Sequence, residues 1–359
     1  MTIVDLYGHQ QVRDRLSASI RAGKLPSSLL FQGPRGVGKQ RLAISVAQEL
    51  LCANPEKAPC GQCLSCRWVA QLAHPDLHWV FPRPRLKDAD PDLEQIKKDY
   101  AEAVEERAED NGLYPSPSGS EGIYVATVRY LVQLAAVAPA MPSGTRKVFI
   151  IGDADRMVPQ EGSDMAANAF LKLLEEPPAN TTIILTSSEP GALLPTIRSR
   201  VVTVRIPLVD DKTVRAFVED PVVKKALDEE HKGSTTERVR AARGAPGSLF
   251  TGDSQAKATL NARRMVDAAT KGRASGIHAT ALLQGVAGAR GIFADSLEAL
   301  VELLGERARD ALHRNDPNAA AAASEAVDSV LRALTLTETN VNPQLIASKL
   351  VRQLSTTLK

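Results

Sequence analysis

Outside one window of fifteen residues the chain has no cysteine. That excludes a disulfide framework spread along its 359 residues. A charge excess of either sign is also missing: 44 Lys and Arg stand against 42 Asp and Glu, for a net +2. So even a balance does not support nucleic-acid binding by bulk electrostatics. No apolar run reaches the roughly 20 residues that span a bilayer. The opening Met1-Thr2-Ile3-Val4-Asp5 lacks the basic and apolar pattern of a secretory signal. The expectation is a cytoplasmic protein with no membrane partner. What is present is ordinary for a soluble globular chain, 43% apolar and 24% charged. The length suits two or three domains.

The run Gly33-Pro34-Arg35-Gly36-Val37-Gly38-Lys39-Gln40 carries the strongest chemical signal. Two spaced glycines followed by Gly-Lys form the core of a phosphate-binding loop. Leu29-Leu30-Phe31-Gln32 before it reads as a buried strand. Leu42, Ala43, Val46, Ala47 and Leu50 after it recur at helical spacing. Gly33, Gly36 and Gly38 would let backbone N–H groups converge on phosphate oxygens. Lys39 would stand at a helix N-terminus, where the dipole also favours anions. The competing reading is a glycine turn that merely precedes a helix. The last position breaks the pattern: a Ser or Thr hydroxyl there ligates Mg²⁺, and this chain has Gln40. The loop could hold ATP or ADP, yet it lacks a part that hydrolysis uses.

All four cysteines, Cys52, Cys60, Cys63 and Cys66, lie in a C-x7-C-x2-C-x2-C array. Paired C-x2-C steps can close a tetrahedral four-thiolate site for Zn²⁺. Such a site has no open position, so the metal would be structural. A disulfide or a redox pair is the rival reading. His74 and His78, just downstream, are expected to be ordinary polar residues rather than ligands.

Strand and helix patterns alternate through about residue 206, which predicts a parallel α/β sheet. Expected strands include His78-Trp79-Val80-Phe81, Lys147 to Ile151, Thr181 to Ser187 and Val201 to Ile206. Helices are expected at Val125 to Val137 and at Met165 to Glu176, the latter stopped by Pro177-Pro178. Residues 82–122 differ, with eleven Asp or Glu against six Lys or Arg. Leu93, Ile96, Tyr100 and Val104 share one helical face there. This stretch is expected to be a solvated surface insertion, with a flexible run from Tyr114 to Ser120. Strand signals fade after residue 208. Leu297, Leu300, Val301 and Leu304 exemplify the helical periodicity of an Ala-rich C-terminal part, whose last two helices are punctuated by Asn340-Val341-Asn342-Pro343.

The phosphate loop, the cysteine knuckle after its helix, Leu171-Lys172-Leu173-Leu174-Glu175-Glu176-Pro177-Pro178 and Arg198-Ser199-Arg200 occur in that order. In this the chain resembles the clamp-loader subunits of bacterial DNA polymerase III, which are AAA+ proteins. The resemblance runs along most of the chain and is weakest at 82–122 and in the C-terminal helices. It implies an α/β fold: an AAA+ P-loop parallel-sheet domain at 1–208 with a zinc-knuckle insertion at 52–66. A small helical lid domain at 209–252 and an all-α oligomerisation collar at 253–359 would follow. The implied partners are the other subunits (delta and gamma/tau-like), the sliding clamp, and primed DNA reached through the complex. Polymerase activity would belong to the assembly.

Departures from the family's motor subunits cluster in the hydrolytic parts. The strand Val148 to Ile151 should be followed by Asp-Glu, and here it is followed by Gly152-Asp153-Ala154-Asp155. Neither register of that segment supplies both carboxylates. The family's nucleotide-touching arginine in Gly-Ser-x-Arg is replaced in Gly244-Ala245-Pro246-Gly247. Arg200, by contrast, matches the arginine finger of the family's Ser-Arg-Cys motif, although Val201 replaces the cysteine. The resemblance thus implies an inactive ATPase that donates Arg200 to a neighbour. Two other readings stay open: an active motor ATPase, and a zinc-containing binding module with a vestigial loop.

Overall fold

A computed structural model describes residues 2–88, 90–118, 121–141, 146–157, 165–229, 233–250, 252–271, 289–337 and 341–358. It divides into two compact units, the first holding Met1–Ser116 and Glu121–Phe250, the second holding Pro117–Ser120 and Thr251–Lys359.

In the first unit five parallel strands form one sheet: β1 (Ser28–Gln32), β2 (Leu77–Val80), β3 (Lys147–Ile151), β4 (Thr181–Ser187) and β5 (Val202–Arg205). Their order is β2-β3-β4-β1-β5. Leu30 pairs with Leu185 on one side and Thr203 on the other, so β1 sits inside the sheet. Because side chains alternate across a strand, the sheet feeds two cores. Leu30, Phe149, Ile151, Ile183 and Leu185 face one. Leu29, Phe31, Val148, Ile150 and Ile184 face the other.

Helices cover both faces, as parallel sheets require. The second core takes Val12 and Leu16 of α1 (Gln10–Arg21), Leu42, Val46 and Leu50 of α2 (Lys39–Leu50), and Val69 of α3 (Leu64–Ala70). The helix α4 (Leu93–Glu109) begins with an Asp92/Gln95 capping box. The first core takes Val128 and Leu131 of α5 (Val125–Ala136) and Phe170, Leu173 and Leu174 of α6 (Met165–Glu175). It also takes Ile197 of α7 (Pro195–Arg198).

Residues 82–122 are not the solvated insertion expected from their charge. Glu94, Glu102, Glu105, Glu106 and Glu109 lie on the exposed face of α4, Asp99 pairs with Arg83, and the inner face is buried. Ile96 and Tyr100 enter the first core, while Ala103 enters the second. Arg107 and Tyr114 continue the contact. The Arg107 guanidinium carbon lies 3.2 Å from the Phe81 ring centroid, 3.8 Å from that of Tyr114 and 4.6 Å from that of Trp79. Tyr114 is therefore anchored, and residues 119–120 of the expected flexible run lie outside the described residues. A net acidic composition reported the exposed face of an amphipathic helix and hid the buried one.

Three further helices, α8 (Asp211–Glu219), α9 (Pro221–Glu229) and α10 (Thr235–Ala242), share a small core of Val214, Phe217, Val218, Val223, Leu227 and Val239. The second unit contains α11 (Asp253–Lys271), α12 (Ala289–His313), α13 (Pro317–Thr337) and α14 (Pro343–Thr357). Leu297, Leu300 and Leu304 are buried there with Val330, Ile346 and Leu350. Asn342 caps α14 by accepting from Gln344 N, whereas Asn340 lies outside the described residues.

If residues 82–122 are part of the core, Ile96→Ala lowers unfolding stability by about 2–5 kcal/mol in urea titrations. A change under about 0.5 kcal/mol, normal for a surface position, would return the segment to the solvent.

Candidate functional site

Parallel strands place their C-terminal ends on one edge of the sheet, the usual ligand edge of open α/β folds. The glycine loop follows β1, Gly152 and Asp153 follow β3, and Ser188 follows β4. Gly38 is the N-cap of α2 at φ 97°, and Gly36 has φ 75°. Both conformations are ones that side chains disfavour. Lys39 is the first residue of α2, yet its ammonium points back into the loop. It donates to Gly33 O at 2.9 Å, Pro34 O at 2.9 Å and Ser188 Oγ at 2.7 Å. All three N–H donors of the charged amine are thereby used. Burial pushes its pKa down to about 8, opposed by the nearby carboxylates of Asp153 and Asp155.

Gln40 is buried beside it and is held at both ends of its amide. Its Nε2 donates to Asp153 Oδ2 at 2.9 Å, and its Oε1 accepts from Trp79 Nε1 at 2.9 Å. The amide lies over Gly152: a Cβ built on that glycine would sit 2.4 Å from Gln40 Oε1 and 2.6 Å from Cδ. Gln40 and Gly152 therefore fit one another, the missing side chain making room for the enlarged one. Asp153 is the carboxylate brought to the loop. It adopts φ 45°, and its N–H donates to Thr186 Oγ1 at 2.9 Å. Burial raises its pKa, opposed by the Lys39 charge. Ala154 beside it is fully buried and has no acid to offer.

The turn after α10 closes on the loop from the other side. Gly247 N–H donates to Gly36 O at 2.8 Å. A Cβ on Gly36 would lie 2.6 Å from Ser248 N. Gly247, at the position expected for a nucleotide-touching arginine, thus meets the loop backbone to backbone. His9 completes the enclosure, with Nε2 donating to Val37 O at 2.8 Å.

The four cysteines converge as their spacing predicts. Their sulfurs all lie within 4.8 Å of one another, and Cys52 Sγ is 3.9 Å from Cys63 Sγ. A tetrahedral ion with metal–sulfur bonds of about 2.3 Å needs sulfurs roughly 3.8 Å apart, so the donor set fits a metal ion. Backbone N–H groups already point at sulfur: Asn54 N to Cys52 at 3.4 Å, Cys63 N to Cys60 at 3.4 Å and Cys66 N to Cys63 at 3.3 Å. Such donors favour thiolate, and the Cys60 pKa falls to about 6. Burial raises that of Cys66. All four are free thiols in this structure. Neither His74 nor His78 joins the cluster.

Arg200 follows α7 by two residues and is exposed. Its hydrogen bonds go to Glu175, Thr196 and Ser199, none of them in the phosphate loop. The residues that sequence reasoning missed are Trp79, Ser188, Thr186 and His9. Each is a single polar contact supplied by another segment, and none carries a local motif. Only the position of Ser188 and Thr186 at the end of β4, on the ligand edge, could have marked them.

The fit between Gln40 and Gly152 has a direct test. Gly152→Ala should destabilise the protein by about 1–3 kcal/mol, because the Gln40 amide must leave its two partners. In a Gln40→Ala background most of that penalty should vanish. Additive effects in urea titrations would show that the two sites are independent.

The family model described as "DNA polymerase III, delta subunit" matches residues 8–210. The chain is 35% identical over 180 residues to the DNA polymerase III subunit delta' of Pseudomonas aeruginosa, covering 50% of this chain and 42% of that one. It is 29% identical over 204 residues to the Bacillus subtilis subunit delta', covering 57% and 49%. With the gamma/tau subunit of Mycobacterium bovis it shares 31% over 218 residues, covering 60% and 30%. The matched stretch thus spans less than half the length of each of these relatives. The family model's match at residues 8–210 covers more than half of the chain and includes the loop, the cysteine cluster, Gly152 and Arg200. The chain belongs to the DNA polymerase III delta-subunit family, as a delta-prime-like member.

Proposed function

We propose that this chain is a delta-prime-type clamp-loader subunit that hydrolyses no ATP itself and lends Arg200 to a neighbouring ATPase subunit. The observation that carries the first half is the Gln40 amide, held between Trp79 and Asp153 over Gly152. Phosphoryl transfer needs a metal held by a hydroxyl and a carboxylate, with a base that activates water. Here an amide stands in the hydroxyl's place and fills the space above Gly152. Lys39 is fully engaged by Gly33, Pro34 and Ser188, and Gly247 closes on Gly36. ATP or ADP would have to separate these groups to enter. An active motor reading has to restore the metal site at two mutually fitted residues.

The second half rests on where Arg200 lies. It is exposed, stands apart from its own loop, and carries a planar fork suited to a phosphate in a neighbour's site. Partners in this reading are the delta and gamma/tau-like subunits, the sliding clamp, and primed DNA through the assembly. The four thiolates hold a structural Zn²⁺ that fixes the loop between α2 and α3. Residues 209–252 serve as a lid and 253–359 as a collar. This reading places the chain in the cytoplasm; among the described residues, no helix is long and apolar enough to cross a membrane.

Arg200→Ala should leave the subunit folded and slow hydrolysis at the neighbouring site, where a dominant finger contributes roughly 10³–10⁵ in rate. Steady-state turnover by the reconstituted complex reads this out, and an unchanged rate contradicts the finger. Absence of clamp-loader subunits from a pull-down of the full chain would contradict the wider reading. For the metal, elemental analysis should find about one Zn²⁺ per chain. Cys63→Ala should abolish that stoichiometry.

A further inference from the structure

The Arg200 head group is already occupied within its own subunit. Nε donates to Glu175 Oε1 at 2.9 Å, and Nη2 donates to the same oxygen. Nη1 donates to Thr196 O at 2.8 Å and Ser199 Oγ at 3.3 Å. Every nitrogen of the guanidinium therefore has an acceptor. The paired edge matters most. Forked recognition of a phosphate uses two N–H groups side by side, and here the Nε–Nη2 edge is spent on a carboxylate. Glu175 is the last residue of α6, directly before Glu176-Pro177-Pro178, so a helix end fixes where that carboxylate can reach.

We propose that Glu175 is a stand-in anion, a latch that holds the Arg200 fork until the phosphate of a neighbour's nucleotide replaces it. The inference rests on Arg200 acting in trans, as proposed above. Charge favours the exchange, because a phosphoryl group offers several oxygens and more negative charge than one carboxylate. Exposure sets the strength of the latch. The Arg200 and Glu175 side chains are 32% and 45% exposed. Pairs of this kind are weak, so the latch slows the finger without disabling it. Glu175 acts through Arg200 and is a positioning residue.

The test is the reconstituted complex assayed for steady-state ATP hydrolysis without clamp or primed DNA. The subunits compared are wild type, E175Q, R200A and the double variant. E175Q should raise the basal rate about two- to fivefold, the range an exposed ion pair can supply. R200A should lower it, and E175Q should add nothing in the R200A background. The thermal midpoint of the E175Q chain should stay within about 2 °C of wild type. An unchanged or slower rate with E175Q, beside a slow R200A complex, overturns the latch and leaves the finger standing. Acceleration by E175Q that persists without Arg200 overturns the latch as well. An unchanged rate with R200A removes the finger reading itself, and the latch with it.

Discussion

The Gln40 amide is the contact on which the arrangement of the phosphate-loop site depends. It gives one hydrogen bond to Asp153 and takes one from Trp79, joining α2, β3 and β2 at the ligand edge of the sheet. Trp79 is buried, so its indole N–H would bear a desolvation cost of about 1–3 kcal/mol if left alone. The amide also needs the empty space at Gly152. A hydroxyl at position 40 would be too short to reach both partners, and a carboxylate at position 152 would collide with the amide. Two departures from a phosphate loop that look separate in the sequence are thus one packing solution.

That solution is supported from behind. Trp79 packs edge-on to Phe81, and the Arg107 guanidinium lies over both rings and over Tyr114. Arg107 and Tyr114 belong to the segment 82–122, which therefore braces the site instead of decorating the surface. Burial lowers the Arg107 pKa to about 10, and the aromatic faces offset part of the cost of enclosing its charge. The sheet topology makes the convergence feasible, because all five strands end on the same edge.

Local chemistry was legible in the sequence where a motif sets it. The loop, the helix after it and the cysteine knuckle follow from glycine and cysteine spacing. The strands follow from short apolar runs, and the alternation of Phe149 and Ile150 between the two cores follows from strand geometry. Long-range contacts were not legible. Nothing near Trp79 announces a hydrogen bond to a residue 39 positions earlier. Nothing near Gly247 announces a backbone bond to Gly36. The segment 82–122 was misread because most of its acidic residues lie on one face of α4, while Ile96, Tyr100, Ala103 and the enclosed Arg107 lie on the other. The segment after β3 was legible only as lacking a pair of carboxylates, and nothing in it announced that Gly152 lies under Gln40 while Asp153 accepts from the same amide.

In the proposed reading the chain's chemistry is split between an inert, closed loop and an outward-facing arginine. ATP turnover by the purified full chain, with a Lys39→Ala variant assayed alongside, is the sharpest test of the inert loop. Wild type and variant should be indistinguishable, both at the background rate. Turnover by the wild type that Lys39→Ala abolishes would contradict that reading.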